Sequence, residues 1–475
     1  MDNFTYEVLS RLPLADAVLS LFSYATDSDF LQQIFDEHRG RSYESVLTFP
    51  TMVNIVSDAL LEYEGSGRQA MLRAEEREEL EASRQAAYGK LRRTPISLSN
   101  AFLAYPTDRL REVFPVGVTS RLPASLRSFD VIAIDGKKIK RAAKRLKVAR
   151  GYSGTPLGGK ALVALDLRRG LVVAMNAHLD GETNDAPLVP DLLPQVRQRS
   201  RRRRLWVADR QFCDLTQPHN FRQENDAFLV RYHSKTHFHR DSSISIHKGI
   251  DSQERRYSEE WGWLGKPGGR KSLYVRRTTL FRKNDEDVIL VTSLIDAEKY
   301  PATDLMDAYL RRWGIENVFQ QVTEVFHLER LISSTPQGTI FQFSFCLLLY
   351  NLLQVTRAYI AQAQQRQPDT ISSEMVFYDV HRQLISLTEL AERKAIVEYF
   401  ESPCTAVELV EHVQALLVDV WHDRWIKSPK KNKFKKPKPT TVVSGGHTSL
   451  HRIIQASKSK KGTRKRRKMM FTAVA

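Results

Sequence analysis

The sequence has few cysteines, and none of them is spaced like a disulfide framework or a thiolate zinc site. Its 475 residues include only Cys213, Cys346 and Cys404, which lie far apart and form no CxxC pair. Small secreted domains rely on closely spaced cysteines, whereas reducing compartments keep thiols free. We therefore expect a protein of a reducing compartment.

The sequence also lacks a targeting segment and a long hydrophobic run. The first residues, MDNFTYEVLSRLP, contain no basic region followed by an apolar stretch, as a signal peptide would. The longest apolar stretch, residues 343–355, is too short to cross a bilayer and contains Asn351 and Gln354. We expect it to form a buried helix in a cytoplasmic protein that has no membrane partner.

Several motifs of common enzyme classes are missing. The sequence contains no internal repeat, no Walker loop and no GxSxG elbow. His233, His237 and His239 are close together, but no cysteine is near them and Asp241 is the only acid at hand. We interpret these histidines as polar surface and not as zinc ligands.

Positive charge is concentrated at one end of the chain. From Lys427 onward there are sixteen lysines and arginines and no acid, so this tail carries +16. Subtracting it from the net charge of +17 leaves about +1 for residues 1–426. A block this dense favours a polyanion such as nucleic acid, the alternative being a solubilising disordered end.

Two short apolar runs each end on an acid. The first leads into Asp135 within IAIDGK, and the second leads into Asp209 within WVADR. Their composition predicts buried strands, and an acid that follows such a strand stands where α/β sheets place functional groups. Asp is also a favoured turn residue, so an ordinary strand-to-turn role is the alternative.

A third acid, Glu316, lies in the stretch YLRRWGIENVFQQVTEVFHL, residues 309–328. Apolar residues at helical spacing, Trp313 among them, predict one amphipathic helix with a buried stripe. Glu316 falls beside that stripe, and Tyr309 and Arg312 share its side of the helix. The alternative is a surface Arg–Glu pair, whereas an acid at a buried face needs a partner or a metal.

Together the three acids suggest chemistry on phosphodiesters. Clustered carboxylates repel one another, and hard divalent cations remove that conflict. Mg²⁺ binds a few carboxylates and leaves positions for phosphate oxygens, and two such ions can activate a nucleophile and stabilise a leaving oxygen. Lys137, Arg210, Arg312 and the tail would supply the positive charge that holds a DNA strand.

In the order and combination of these motifs, the chain resembles the DDE transposases of the IS-four superfamily of insertion sequences, which carry a Tyr-Arg-Glu-Lys signature. The likeness covers about residues 85–360. It implies an α/β, RNase H-like catalytic domain, a mixed sheet flanked by helices, with a β-rich insertion before the Glu helix. It also implies that Asp135, Asp209 and Glu316 are the catalytic, metal-binding triad, and that Tyr309 and Arg312 hold the DNA backbone.

The resemblance further implies cut-and-paste transposition, in which a transposase cleaves transposon ends and transfers the strands. The cofactor would be Mg²⁺, for which Mn²⁺ can substitute. The partners would be the terminal inverted repeats and the target DNA, bound by a homodimer. A protein with these partners would associate with the nucleoid.

Changes in composition and in the spacing of apolar residues along the chain predict the domain organisation. Residues 1–95 form a helical domain, either a reader of DNA ends or a scaffold, with one charged helix predicted over Arg73–Leu91. The other regions are the two parts of the catalytic domain at 96–225 and 298–365, the β-rich insertion at 226–297, a helical C-terminal region at 366–426, and a basic, disordered, DNA-contacting tail at 427–475.

One position departs from the family signature. A lysine is expected seven residues after Glu316, where this chain has Thr323, and the nearest downstream base is Arg330. Two other functions therefore remain open: a metal-dependent nuclease on the same fold, and a non-catalytic DNA-binding relic of a transposase.

Overall fold

The architecture is known from a computed structural model that describes residues 3–63, 66–119, 122–139, 146–150, 154, 156–282, 286–324, 333–400, 404–427 and 447–459. The helices are α1 (Asn3–Ser10), α2 (Pro13–Ala25), α3 (Ser28–His38), α4 (Phe49–Leu61), α5 (Gly67–Glu76), α6 (Arg84–Arg93), α7 (Ile96–Glu112), α8 (Val189–Arg199), α9 (Gln217–Arg222), α10 (Ala302–Arg311), α11 (Gly314–Glu324), α12 (Pro336–Ala363), α13 (Ser373–Leu390), α14 (Arg393–Phe400) and α15 (Ala406–Leu417). The strands are β1 (Phe129–Ile139), β2 (Pro156–Leu157), β3 (Gly159–Asp166), β4 (Leu171–His178), β5 (Arg203–Ala208), β6 (Ala227–Arg231), β7 (Phe238–Arg240), β8 (His247–Ile250), β9 (Arg256–Leu264), β10 (Leu273–Leu280), β11 (Val288–Thr292) and β12 (Thr448–Ser449).

A mixed sheet organises the fold. Its strand order is β4-β3-β1-β5-β6-β11-β10-β9-β7, with β8 paired to β9. The central strands β1, β5 and β6 run parallel, and the strands on both sides of them are antiparallel. The helices lie on both faces of the sheet, so the predicted α/β class with a mixed sheet flanked by helices is confirmed.

Strand β1 shows why the sheet is covered on both faces. Val131 and Ala133 belong to the core on one face, which includes α7 and α12, and Ile132 and Ile134 belong to the core on the other face, next to α8. This alternation follows from the period of two in a β-strand. A strand buried on both faces is continuously apolar, as the sequence VIAI is.

The predicted hairpin after β1 is confirmed. β3 and β4 pair antiparallel, and Gly170 in the turn between them has φ +73°, a left-handed conformation that glycine adopts without strain. The β-rich segment at 226–297 is not a separate sheet. β6 pairs with β5 and β11 pairs with β6, so these strands extend the central sheet.

The apolar run at 343–355 lies within α12, which is buried along its length, as predicted. This helix has the length and composition of a membrane span, but its most apolar 18-residue window is entirely buried inside the protein. Asn351 satisfies its amide within the core: Oδ1 accepts from Val172 N at 2.8 Å, and Nδ2 donates to Val172 O at 2.8 Å and to Thr107 Oγ1 at 2.8 Å. The helix is therefore fixed to the edge strand β4.

The prediction of one charged helix over Arg73–Leu91 is wrong. α5 ends at Glu76 and α6 begins at Arg84. Between them Glu78 has φ +59°, which no helix tolerates, and Ser83 starts α6 by accepting a hydrogen bond from Ala86 N at 3.3 Å. This serine cap is a helix-start signal that apolar periodicity alone does not reveal.

The basic tail is not disordered throughout, because residues 447–459 are ordered. Thr448 and Ser449 form β12, which pairs in parallel with β2, and a helix covers residues 450–459. Residues 428–446 and 460–475 lie outside the described part of the chain, and so does the prediction of disorder for them.

Candidate active site

Strands β1 and β5 bring the two strand acids together. The parallel pairing of these strands ends at Ile134 and Ala208, and the next residue in each chain is an acid, Asp135 or Asp209. Neighbouring strands lie about 4.8 Å apart, and the alternation of side chains places both acids on the sheet face that carries α12. The prediction that Asp135 ends its strand is wrong, because β1 continues to Ile139 through antiparallel pairing with β3.

The sequence predicted one helix over the stretch at 309–328, and this prediction is wrong. α10 ends at Arg311 and α11 begins at Gly314. At the break the backbone hydrogen bonds join residues three apart and not four, as in a 3₁₀-helix. Arg312 N donates to Tyr309 O, Trp313 N to Leu310 O, and Ile315 N to Arg312 O, at 3.0–3.3 Å. The break moves Trp313 out of the predicted buried stripe, and 55% of its surface is exposed. The end of the predicted helix, residues 325–328 with Phe326 of the predicted apolar stripe, lies outside the described residues.

Arg312, at this break, links two of the three predicted acids. Its Nη1 lies 3.4 Å from Asp135 Oδ2, and its Nη2 lies 3.4 Å from Glu316 Oε1. The guanidinium is buried, whereas the Glu316 side chain keeps 40% of its surface exposed. Although burial lowers the pKa of Arg312, Tyr309 and the carboxylates of Asp135, Asp209 and Glu316 outweigh it and raise that pKa. One buried positive charge therefore interacts with three carboxylates and offsets only part of their negative charge.

Tyr309 reaches the third acid. Its hydroxyl donates to Asp209 Oδ1 at 3.4 Å, and its ring is buried beside the Arg312 guanidinium. Burial, with a contribution from nearby Asp209 and against the opposing effect of Arg312, raises the pKa of Tyr309 to about 12. The hydroxyl thus stays protonated at neutral pH and acts as a hydrogen-bond donor.

The environment of Asp135 disfavours its charged form. Burial raises the pKa of this carboxyl to about 6, and Asp185 and Asp209 act in the same direction. Arg312 and a hydrogen bond from Gly136 N at 2.8 Å oppose the shift without cancelling it. A cation that enters this site would therefore relieve an unfavourable concentration of negative charge.

A fourth acid, Asp185, lies on the opposite face of β1 and was missed by sequence reasoning. Its carboxylate pairs with Lys160 of β3, and both side chains are buried. It fills the space over Gly136, where a Cβ would lie 1.9 Å from Asp185 Oδ1. In the sequence Asp185 stands in a loop, TNDAP, without an apolar run before it, so no strand-end signal marked it.

The remaining predicted DNA-binding residues, Lys137 and Arg210, closely follow the two strand acids in sequence. Lys137 follows in β1 with its Nζ 5.4 Å from the centre of the Phe319 ring. Arg210 comes directly after Asp209 and is half exposed, with Nη1 4.0 Å from Glu286 Oε1. Thr323 Oγ1 donates to Phe319 O at 2.7 Å, and Arg330 lies outside the described residues. Their role in binding DNA stays a prediction.

The donor chemistry of the site suits a divalent metal ion. Carboxylate oxygens are the ligands that Mg²⁺ prefers, and Asp135, Asp209 and Glu316 share one guanidinium as counter-charge. Within the described ranges no three acidic, histidine or cysteine side chains are close enough together to hold a metal ion. Arg312 lies between the acids that would have to converge. The residues fit the ion by charge and ligand type.

Comparisons with known proteins bear on this arrangement. Residues 127–352 match the family model described as the transposase DDE domain. Among solved structures, a cryo-EM structure of a piggyBac transposase synaptic complex with hairpin DNA is similar, with 13% identity, 87% of this chain and 88% of that chain covered, and a TM-score of 0.37. No curated protein matches the chain. The matched range contains Asp135, Asp209 and Glu316.

Proposed function

We propose that this DDE-type transposase carries out Mg²⁺-dependent cut-and-paste transposition, with Asp135, Asp209 and Glu316 as its catalytic acids. DNA strand cleavage and transfer are the activities of the enzyme class whose domain residues 127–352 match. The observation that supports the assignment most directly is geometric: the buried Arg312 guanidinium lies 3.4 Å from both Asp135 and Glu316, and Tyr309 beside it donates to Asp209.

The metal ion would be held by the three acids. Enzymes of this class use divalent metals, and when bound the ion supplies Lewis-acid stabilisation of the reacting phosphate. Mg²⁺ is the proposed ion because the donors are carboxylates alone, and Mn²⁺ accepts the same ligands. Because the pKa of Asp135 is raised to about 6, metal binding should strengthen as the pH rises through about 6, where this carboxyl becomes charged.

The side chains around the acids would orient the DNA. Arg312 presents a planar guanidinium that can pair with phosphate as it pairs with carboxylate. Its buried Nε has no hydrogen-bond partner among the described residues, so donor capacity remains. Tyr309 holds a proton on its hydroxyl, and Lys137 and Arg210 add positive charge beside β1 and β5.

The finer identity of the protein is also part of the proposal. The Tyr309, Arg312 and Glu316 spacing supports the IS-four superfamily, with Thr323 in place of the signature lysine. The partners are terminal inverted repeats and target DNA. A homodimer is proposed because a transposon has two ends and each chain supplies one set of Asp135, Asp209 and Glu316. We also propose that the catalytic domain is RNase H-like and that the domains have the boundaries predicted from the sequence. The proposed location is cytoplasmic, in association with the nucleoid.

Cleavage of a matched DNA end tests the proposal. The substrate is a duplex with the terminal inverted repeat read from the DNA that flanks the gene. Asp135→Ala, Asp209→Ala and Glu316→Ala should each abolish Mg²⁺-dependent cleavage while end binding, measured by electrophoretic mobility, persists. Asp191→Ala, which removes an exposed acid of α8, is the matched control and should cleave normally. Wild-type cleavage by any of the three variants would remove that acid from the site.

A second measurement separates a transposase from a nuclease. The cleaved end is incubated with a supercoiled target plasmid, and joined products are scored after Mg²⁺ or Mn²⁺ is added. A transposase joins the end to the target, whereas a nuclease releases ends and joins none. A chain that binds the end but neither cuts nor joins would be the non-catalytic relic.

A further inference from the structure

Five arginines lie together at the opposite end of the strands from the acids. β1 starts at Phe129 and β5 starts at Arg203, whereas Asp135 and Asp209 follow the last parallel pair of these strands. β3 runs antiparallel to β1, so it ends where β1 and β5 start. These three strands are neighbours in the sheet. The arginines within two residues of their shared end, which we call the arginine patch, are Arg127, Arg168, Arg201, Arg202 and Arg203.

Backbone carbonyl groups orient the guanidinium groups of the arginine patch. Arg168 donates from Nη2 to Arg127 O at 3.0 Å, and Arg202 donates from Nη1 to the same oxygen at 3.3 Å. Arg203 donates from Nε to Asn225 O at 2.6 Å. Two guanidinium groups thus share one carbonyl oxygen. These hydrogen bonds hold the side chains in place without neutralising their charge.

The nearby acids are already paired with other arginines. Asp166 pairs with Arg169 at 3.0 Å, and Asp226 pairs with Arg197 at 3.1 Å and with Arg204 at 2.8 Å. Among the described residues, no acid lies within ion-pair distance of an arginine of the patch. The patch therefore keeps its positive charge for an external partner.

The charges of the arginine patch are accessible and crowded. Its members are exposed, except Arg168, which is half-buried. Burial is the largest cause that lowers the pKa of Arg168, and the charge of Arg202 lowers it further. The buried acids Asp166 and Asp130 oppose this shift without cancelling it. A bound polyanion would relieve the repulsion between these arginines.

The dimensions of the arginine patch suit a DNA backbone. Neighbouring strands lie about 4.8 Å apart, so a row across β3, β1 and β5 is about 10 Å long. One strand of a duplex carries a phosphate for about every 3.4 Å of helix axis, so such a row faces about three phosphates. A guanidinium group offers a planar fork of donors that matches phosphate. Phosphate contacts carry no sequence information, so binding here would not depend on sequence.

The arginine patch is too far from the acids to hold the same part of a straight duplex. From Arg203 to Asp209 the chain of β5 rises about 20 Å, at about 3.3 Å per residue. Between these two ends α7 and α12 cover one face of the sheet and α8 packs on the other. A straight duplex that reaches the acids therefore does not also contact the patch.

We propose that the arginine patch binds the phosphate backbone of a second DNA duplex, independently of its sequence, while the acids hold the duplex that is cleaved. The second part of this statement rests on the proposed function, whereas the charge of the patch does not depend on the acids. One chain would then hold two duplexes at opposite ends of the same strands. The uncut duplex would be kept close to the cleaved end.

Site-specific photo-crosslinking identifies the duplex that lies on the arginine patch. Benzoylphenylalanine replaces Ser128, an exposed residue next to Arg127, in the full chain. The protein is loaded with a labelled end duplex, and a duplex of unrelated sequence with a second label is added. Residue 128 should crosslink to the unrelated duplex and not to the end duplex. The same substitution at exposed Thr370, before α13, controls for random collisions.

Three outcomes of this crosslinking would overturn the proposal. They are crosslinks from residue 128 to the end duplex, no crosslink to either duplex, and equal crosslinking of the unrelated duplex from residues 128 and 370. Stronger protection of residue 128 by polyglutamate than by an unlabelled duplex of equal charge would also overturn it, because the patch would then suit an acidic protein.

The salt dependence of binding counts the phosphates that the arginine patch neutralises. The double variant Arg127→Gln with Arg202→Gln removes two charges of the patch. Arg366→Gln with Arg382→Gln is the matched control, because both arginines are exposed and neither forms an ion pair within the described ranges. For the unrelated duplex, the slope of log affinity against log salt should fall by roughly two units in the patch variant and stay unchanged in the control. Equal slopes in the two double variants would overturn the proposal.

Cleavage of the end duplex is scored on the same samples and separates the two proposals. A wild-type protein that crosslinks the unrelated duplex from residue 128 but never cuts the end would refute the transposase function alone. A protein that cuts the end normally without this crosslink would refute the role of the arginine patch alone. The patch variant should cut the end duplex as the wild type does, because its two arginines are remote from the acids.

Discussion

Gly136 and Asp185 occupy one another's space across β1. A Cβ on residue 136 would lie 1.9 Å from Asp185 Oδ1, a distance that no side chain tolerates. The glycine that follows Asp135 is thus required by a carboxylate on the opposite face of the strand. Because Asp185 forms a buried ion pair with Lys160, moving its carboxylate aside would break that pair and cost stability.

Gly136→Ala should destabilise the protein and reduce cleavage, because overpacking costs about 1–3 kcal/mol. Thermal unfolding measures the loss. The double variant Gly136→Ala with Asp185→Ala should recover part of it, since removal of the carboxylate opens the space. Gly314→Ala is the control, because its Cβ would meet Leu165 at an ordinary 3.6 Å. If the effects of the two substitutions on stability simply added in the double variant, the two side chains would not be competing for the same space.

Asp135→Asn should stabilise the metal-free protein at neutral pH. Since the folded pKa of about 6 lies above the unfolded value near 3.8, the folded state binds the extra proton. Stability is therefore full at low pH and is lost as pH rises from about 4 to about 6. At pH 8 the variant should gain at most about 3 kcal/mol, at 1.36 kcal/mol per pKa unit. Denaturant unfolding at pH 4 and pH 8 measures the gain, which should vanish at pH 4.

Arg312→Lys should reduce cleavage by roughly 10- to 100-fold, because one ammonium cannot replace the two guanidinium nitrogens that face Asp135 and Glu316. Loss of a hydrogen bond to a charged group costs about 1.5–3 kcal/mol. Single-turnover cleavage and metal affinity by calorimetry are measured together. Arg311→Lys is the control, since Arg311 pairs with Asp307 at the surface. Equal effects of the two substitutions would contradict a special role for Arg312.

Thr323→Lys should strengthen binding to the DNA ends. Thr323 is nearly two turns after Glu316 and shares its face of α11, and the added charge should steepen the salt dependence by about one unit. Affinity is measured at several salt concentrations. Asn317→Lys adds the same charge at an exposed position on a different face of α11. An unchanged or weaker affinity of Thr323→Lys for the DNA ends would mean that another basic side chain already binds this phosphate.

Sequence reasoning predicted the elements whose signal is local. The apolar runs before Asp135 and Asp209 are strands, the turn at Gly170 closes a hairpin, and α12 is the buried helix. The break at Arg312 was missed because the helical spacing of apolar residues continues across it. The backbone hydrogen bonds between residues three apart at the break have no signature in the amino-acid composition. Asp185 was missed for a related reason, since its importance comes from a contact with Gly136, 49 positions away along the chain.

The proposal that Asp135, Asp209 and Glu316 are the catalytic acids came from the combination of motifs. The distances between their side chains could not come from sequence, because they depend on the parallel register of β1 with β5 and on the path of α10 into α11. The order in residues 447–459 was equally hidden. A segment with basic neighbours on both sides has the composition of a disordered tail, and only its docking on β2 and Glu182 distinguishes it.

The burial of α12 has a consequence for attempts to divide or retarget this protein. One continuous hydrophobic cluster runs from Leu9 in α1 through the sheet and α12 to Trp425. The N-terminal helices are therefore not an exchangeable module joined by a linker. Their removal would uncover Phe341, whose ring contacts Phe49 of α4, and Phe345, whose ring contacts Phe22 of α2. Hybrids that graft a foreign DNA-reading domain in place of residues 1–95 should aggregate on expression, whereas additions fused before Asn3 should be tolerated.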